Sequence, residues 1–161
     1  MSTYRKPFVG ADRWITVFAD ASYCPETGAW GYGWWLKYGQ PARTLYGEGG
    51  GLSIAGSNEA EVVALERALE AVDSLSGQYL LQGKMLVVQS DCTGAIDRIQ
   101  SRLRDMQREH GFAKAYTKHV KGHRGHVDPR ASVNTGCDRA AGRQMRKYRE
   151  QVRAVVPTTF D

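Results

Sequence analysis

Lys84-Met85-Leu86-Val87-Val88-Gln89-Ser90-Asp91 is the stretch that decides the fold. Four consecutive apolar residues at its centre mark a strand covered on both faces rather than one with a wet side. The period changes on either side of it. Upstream, Val62, Leu65, Leu69 and Val72 recur at helical spacing, and Ala64, Ala68 and Ala71 widen the apolar face. Asn58 stands where it can cap that helix, and Ser76-Gly77 ends it. Downstream, Ile96, Ile99, Leu103 and Met106 mark a second amphipathic helix ending near His110-Gly111, and Ala113 to Val120 reads as another strand. Strand–helix–strand alternation implies parallel pairing through right-handed crossovers.

The first third reads differently. Trp14 to Ala19 is a compact strand run ending at Asp20. Turn residues Pro25 to Gly28 then feed Trp30-Gly-Tyr-Gly-Trp-Trp-Leu36, an aromatic strand loosened by glycines. A third strand covers Arg43 to Glu48 or beyond, and Gly49-Gly50-Gly51 ends or bulges it. Short turns between the three imply an antiparallel meander. A final helix is expected from about Asn134 to Val155, stopped by Pro157. The predicted order is β-β-β-α-β-α-β-α. It gives an α/β fold: a mixed five-stranded sheet, three antiparallel strands then parallel ones, with helices on both faces. The first strand is expected to be central, beside the strand that ends at Asp91.

The 161 residues fit a single domain, 1–161, with a core from about 14 to 155, a short basic N-terminal tail around Tyr4-Arg5-Lys6-Pro7 and a short C-terminal tail. A formal net charge of +5 is compatible with a polyanionic partner. Three cysteines without a CxxC pair argue against a disulfide framework and for a reducing, cytoplasmic setting. No stretch approaches the ~20 apolar residues of a membrane span, and the N-terminus lacks the apolar core of a signal peptide.

Chemistry is concentrated in four acids, Asp20, Glu61, Asp91 and Asp138, each placed near the end of a strand or the start of a helix. A Lys121-Gly122-His123-Arg124-Gly125-His126 loop precedes the last of them. Clustered carboxylates persist when cations neutralise them, and hard oxygen donors select Mg²⁺ or Mn²⁺. Each acid also has a purely structural reading. Glu61, three residues after Asn58, completes a capping-box spacing; Asp91 could cap a helix; Asp138 could simply favour a helix N-terminus. Glu59 rivals Glu61. Zinc on His123, His126 and Cys137 is disfavoured by the short histidine spacing and the missing second cysteine.

The ordered set Asp20-Ala21-Ser22, Gly28-x-x-Gly31-Tyr32-Gly33, Ser57-Asn58-x-x-Glu61, Ser90-Asp91, Val120-Lys121-Gly122-His123-x-Gly125-His126, Asn134 and Cys137-Asp138 resembles type 1 ribonuclease H over roughly residues 15–146. The resemblance implies a ribonuclease H-like fold and hydrolysis of the RNA strand of RNA–DNA hybrids, leaving 5′-phosphate and 3′-hydroxyl ends. It implies that Asp20, Glu61, Asp91 and Asp138 hold two Mg²⁺ ions with substrate bound, Mn²⁺ substituting, and that Asp20 is shared between them. His123 would assist proton transfer or release of metal and product. Ser22, Asn58 and Asn134 would contact nucleic acid beside the site.

The chain departs from the larger members of that family. Only one helix and one strand fit between Asp91 and His123, so the basic handle of those members is missing; Glu59 and the 127–133 segment are further departures. Arg143 and Arg146, on an arginine stripe with Arg139 and Arg153, and Arg124 on the histidine loop are candidates to replace the handle. A solvated face with local ion pairs is the other reading of that stripe. Trp30, Trp34 and Trp35 read as sheet-face packing ahead of stacking platforms. The expected partner is an RNA–DNA hybrid, with no obligatory protein partner. The alternatives are a nuclease of the same fold acting on DNA or double-stranded RNA, and a non-catalytic nucleic-acid-binding module.

Overall fold

The computed structural model describes residues 11–121 and 129–155. After a 3-10 turn at Ala11–Arg13 come β1 (Trp14–Tyr23), β2 (Trp30–Tyr38), β3 (Arg43–Gly51), α1 (Ser57–Leu75), β4 (Met85–Ser90), α2 (Thr93–Arg98), α3 (Gln100–His110), β5 (Lys114–His119) and α4 (Pro129–Val155). The strands form one sheet in the order β3-β2-β1-β4-β5. β1, β2 and β3 pair antiparallel, while β1–β4 and β4–β5 pair parallel. The mixed sheet with a central β1 is the one expected from the sequence.

The main core fills one face. Ile15, Val17 and Ala19 of β1 and Leu86 and Val88 of β4 alternate inward against Leu65, Leu69 and Val72 of α1 and Ile99, Leu103 and Met106 beyond β4. α4 lies on the other face, seated by glycine. A Cβ on Gly31 would fall on the Ala141 carbonyl oxygen and the Met145 amide nitrogen. One on Gly33 would meet the Cys137 carbonyl and the Ala140 side chain. The missing side chains let the helix backbone sit directly on β2. Gly47, Gly49 and Gly51 of β3 serve the opposite face, where each lies beneath the ring of its cross-strand partner: Trp34, Tyr32 and Trp30. Trp30 and Trp34 are thus sheet-face packing, and the glycine run continues the strand to its end at Gly51 instead of bulging it.

Four expectations change. β1 does not stop at Asp20 but runs on to Tyr23, because β2 keeps pairing with it through Tyr23↔Trp30. Its parallel ladder with β4 ends earlier, at Phe18↔Gln89. The second helix is broken at Ile99 into α2 and α3. There the Gln100 side chain donates to the Ile96 carbonyl at 2.9 Å and to Thr117 Oγ1 at 3.1 Å, diverting an acceptor that an unbroken helix would use internally. α4 begins at Pro129, not Asn134; proline suits a first helical position because no partner is needed for its nitrogen. Finally, Asn58 is the second residue of α1, and the N-cap is Gly56 with no side-chain hydrogen bond, so Asn58 and Glu61 form no capping box. No described helix is long and apolar enough to cross a membrane.

Gly31→Ala is expected to lower stability by roughly 3 kcal/mol, since rigid backbone atoms would have to move. Gly77→Ala, where a Cβ meets nothing within 4 Å, should be close to neutral. Urea melts of the two variants test this, and equal midpoints would remove glycine seating of α4 from the account.

Candidate active site

Asp20 is the seventh residue of β1, just past the last β1–β4 pair, where β1 stays with β2 and β4 hands the chain to α2. Asp91 follows directly after β4. Strands parting at their carboxyl ends leave a crevice, the usual ligand position in open α/β sheets. Glu61 reaches the same place from α1. It is the fifth residue of that helix, one beyond the first turn in which it was expected. Carboxylate oxygens of Asp20, Glu61 and Asp91 all lie within 4.8 Å of one another.

Three such groups oppose one another electrostatically. Asp20 is only 7% exposed, and Ala21 N–H donates to its Oδ1 at 2.9 Å. Burial, then the charge of Asp91, pushes the Asp20 carboxyl up to about 7, against the opposing pull of that amide. Burial, then the charges of Asp20 and Asp91, pushes Glu61 up to about 9. Glu61 Oε2 is buried without a hydrogen-bonding partner among the described residues. An unpartnered buried oxygen beside two more carboxylates makes a donor set of the kind that holds a cation. Oxygen-only donors fit Mg²⁺ or Mn²⁺, so these side chains suit the ions that the sequence implies.

Asp138 stands apart from this triad. With α4 starting at Pro129, it is the tenth residue of the helix, not a first-turn residue, and it is exposed. Its charge still acts on Asp20 and raises that carboxyl further. Its neighbour Cys137 is buried against the sheet, its thiol 3.9 Å from the Phe18 carbonyl. Burial, then the Asp20 charge, raises that thiol to about 12. His123 and Arg124 lie outside the described residues.

The expected substrate contacts separate. Ser22 points to the same side of β1 as Asp20, two residues on. Asn58 is exposed at the start of α1, beside the chain that leaves Asp91: Cys92 Sγ donates to its Oδ1 at 3.5 Å, and a Cβ on Gly94 would come within 3.2 Å of its Nδ2. Neither Cys92 nor Gly94 was marked by the sequence, because the pairing of two helix starts has no local pattern. Asn134 lines a 300 Å³ cavity under α4 with Thr16, Lys37 and Gln89, one helical turn before Asp138. Arg143 pairs with Glu48 of β3 at 3.3 Å, Arg146 is exposed, and Glu150 pairs with Arg153. Glu59 is matched by an ion pair with Arg98.

No family model matches the chain, and no curated protein matches it in sequence. Its fold does match solved structures. The N-terminal RNase H domain of Rv2228c from Mycobacterium tuberculosis, solved as a fusion with maltose-binding protein, is 17% identical with a TM-score of 0.61, over 87% of this chain and 99% of that one. RNase H1 from the halophilic archaeon Halobacterium salinarum is 20% identical with a TM-score of 0.55, over 83% and 98%. LC11-RNase H1, solved in complex with an RNA/DNA hybrid, is 17% identical with a TM-score of 0.60, over 83% and 97%. The chain has the ribonuclease H fold, of the kind that type 1 enzymes adopt.

The raised carboxyls fix a pH dependence. Above the ordinary values of 3.8 and 4.5, the folded protein keeps protons that the unfolded chain has released. Their contribution to stability is therefore full at acid pH and is lost as pH rises through about 7 and about 9. Without divalent ions, the urea midpoint should fall across that window. Glu61→Gln should flatten the fall, and added Mg²⁺ should raise the parent's midpoint near neutrality. A parent and variant with parallel pH profiles would contradict the shared burden of charge.

Proposed function

We propose that this protein is an endoribonuclease that hydrolyses the RNA strand of RNA–DNA hybrids with Mg²⁺ or Mn²⁺. The observation that carries this is the convergence of Asp20, Glu61 and Asp91 within 4.8 Å at the parting of β1 and β4, on a ribonuclease H fold. The fold alone does not assign a reaction, so the weight rests on these side chains. One structural neighbour was solved with an RNA/DNA hybrid, which supports the choice of substrate.

Asp20, Glu61, Asp91 and Asp138 are the residues that would hold the metal. Divalent cations held by these residues would supply Lewis-acid charge for activating a water and for stabilising the leaving 3′ oxygen. The protein's own part is to hold the carboxylates ready. Ala21 N–H orients Asp20, the core behind Val17 and Val88 fixes the two strand ends, and partly buried Glu61 keeps its Oε2 unpartnered among the described residues. Asp138 adds negative charge from α4 and completes the set when the fourth ligand is needed. His123 is the proposed helper in proton transfer or in release of metal and product, a task for which a histidine side chain is chemically suited.

Ser22 and Asn58 flank the carboxylates and are the proposed contacts to 2′-hydroxyls and the adjoining backbone, which distinguish a hybrid from DNA. Asn134, Arg124, Arg143 and Arg146 are proposed contacts to nucleic-acid phosphates, and Glu48 competes for Arg143. Most of the affinity then comes from the backbone, with little base preference.

Labelled RNA–DNA hybrid, double-stranded RNA and double-stranded DNA, each offered with Mg²⁺, test the reading. The expected result is cleavage of the hybrid alone, to 5′-phosphate and 3′-hydroxyl ends, reduced to background by Asp91→Asn. His123→Ala should slow turnover by roughly a hundredfold without abolishing it. Cleavage confined to DNA or to double-stranded RNA would move the protein to another nuclease class of the same fold. Binding without any cleavage would make it a non-catalytic module.

A further inference from the structure

The five strands carry only two carboxylates, Asp20 and Glu48. Both belong to one row across the sheet, Asp20↔Gly33↔Glu48, on the face where α4 sits. Glu48 is matched there by Arg143 and Gln144. The rows that precede it on the same face hold cations and no acid. By register, Trp14 and Thr16 of β1 share this face with Lys37 of β2 and with Lys114, Tyr116 and Lys118 of β5. α4 packs on β1, β2 and β3, whereas β5 receives α3 on the opposite face. Lys37, Lys114 and Lys118 are all exposed, and none forms an ion pair among the described residues.

Aromatic groups are interleaved with these lysines. The Trp14 and Tyr116 rings meet edge to face at 6.3 Å, and Lys114 Nζ lies 4.8 Å over the Tyr116 ring. From β2 to β5 the strip spans three strand spacings, about 14 Å. Lys118 lies one same-face position before the Asp20 row, about 7 Å along the strands. A cationic, ring-bearing strip therefore leads away from the carboxylate cluster.

We propose that this strip binds the single-stranded extension of a nucleic acid whose duplex part lies at the carboxylates. Charge complementarity selects a polyanion. The rings select unpaired bases, since duplex bases are already stacked on one another and offer a flat sheet only their phosphates. A base arriving on Tyr116 displaces the Lys114 ammonium toward a neighbouring phosphate, so the ring and the charge act together. The inference rests on the nuclease reading only for the position of the duplex.

The test compares a blunt hybrid, the same hybrid with an overhang of about eight nucleotides, and the free strand, with binding followed by fluorescence anisotropy without divalent ions. The overhang should tighten binding by about tenfold, and Lys37→Glu/Lys114→Glu/Lys118→Glu should abolish that gain. The salt slope for the free strand should become shallower by about 2 in the triple variant. Blunt-hybrid cleavage and the melting temperature should be unchanged, and bound overhang should quench tryptophan fluorescence. An overhang without effect on the parent, or a triple variant that keeps the gain, would overturn the proposal. So would a variant that changes only self-association, since the strip would then receive a second copy of the chain. If no substrate is cut while the overhang effect still depends on the lysines, the strip stands and the nuclease reading falls.

Discussion

Mutual repulsion among Asp20, Glu61 and Asp91 is the constraint around which the molecule is arranged. Carboxylates within 4.8 Å of one another would separate in water, and burial raises the cost of their charge further. They stay together because each is fastened to a different rigid element: β1, α1 and the end of β4. Behind them Val17, Ala19, Leu65 and Val88 are fully buried, so no element can retreat without opening the core. Burial and the neighbouring charges push the Asp20 and Glu61 carboxyls above their ordinary range.

The second device is steric. α4 approaches β2 so closely because Gly31 and Gly33 offer no side chain, and Ala140 and Ala141 answer them from the helix. This contact brings Cys137 over Phe18 and sets Asp138 within electrostatic reach of Asp20. Two glycines on one strand thus tune the electrostatics of a carboxylate on the next. The three glycines of β3 do a different job, making room for Trp30, Tyr32 and Trp34 on the far face.

The likeness to solved ribonucleases H at 17–20% identity is a likeness of fold, a mixed five-stranded sheet with helices. Such a fold depends on patterns of apolar and glycine residues that many sequences satisfy. A reaction depends on a few side chains, here the carboxylates and their surroundings.

The element order was legible because period is a local property. The apolar run at 85–88, the helical spacing from Val62 to Val72 and the turn at Pro25–Gly28 each report on their own neighbourhood. Asp20, Glu61 and Asp91 could be singled out for the same reason, as acids near element ends. Other features required tertiary structure. Beside the break at Ile99, Gln100 reaches Thr117 across the chain, and β1 extends past Asp20 because β2 is there to pair with it. Asn58 is set against Cys92 and Gly94 only when α1 and α2 meet. The lysine strip joins residues 37, 114 and 118, which no sequence window contains. Periodicity determines which face of an element is buried; which elements then share that face is decided by packing between segments far apart in the chain.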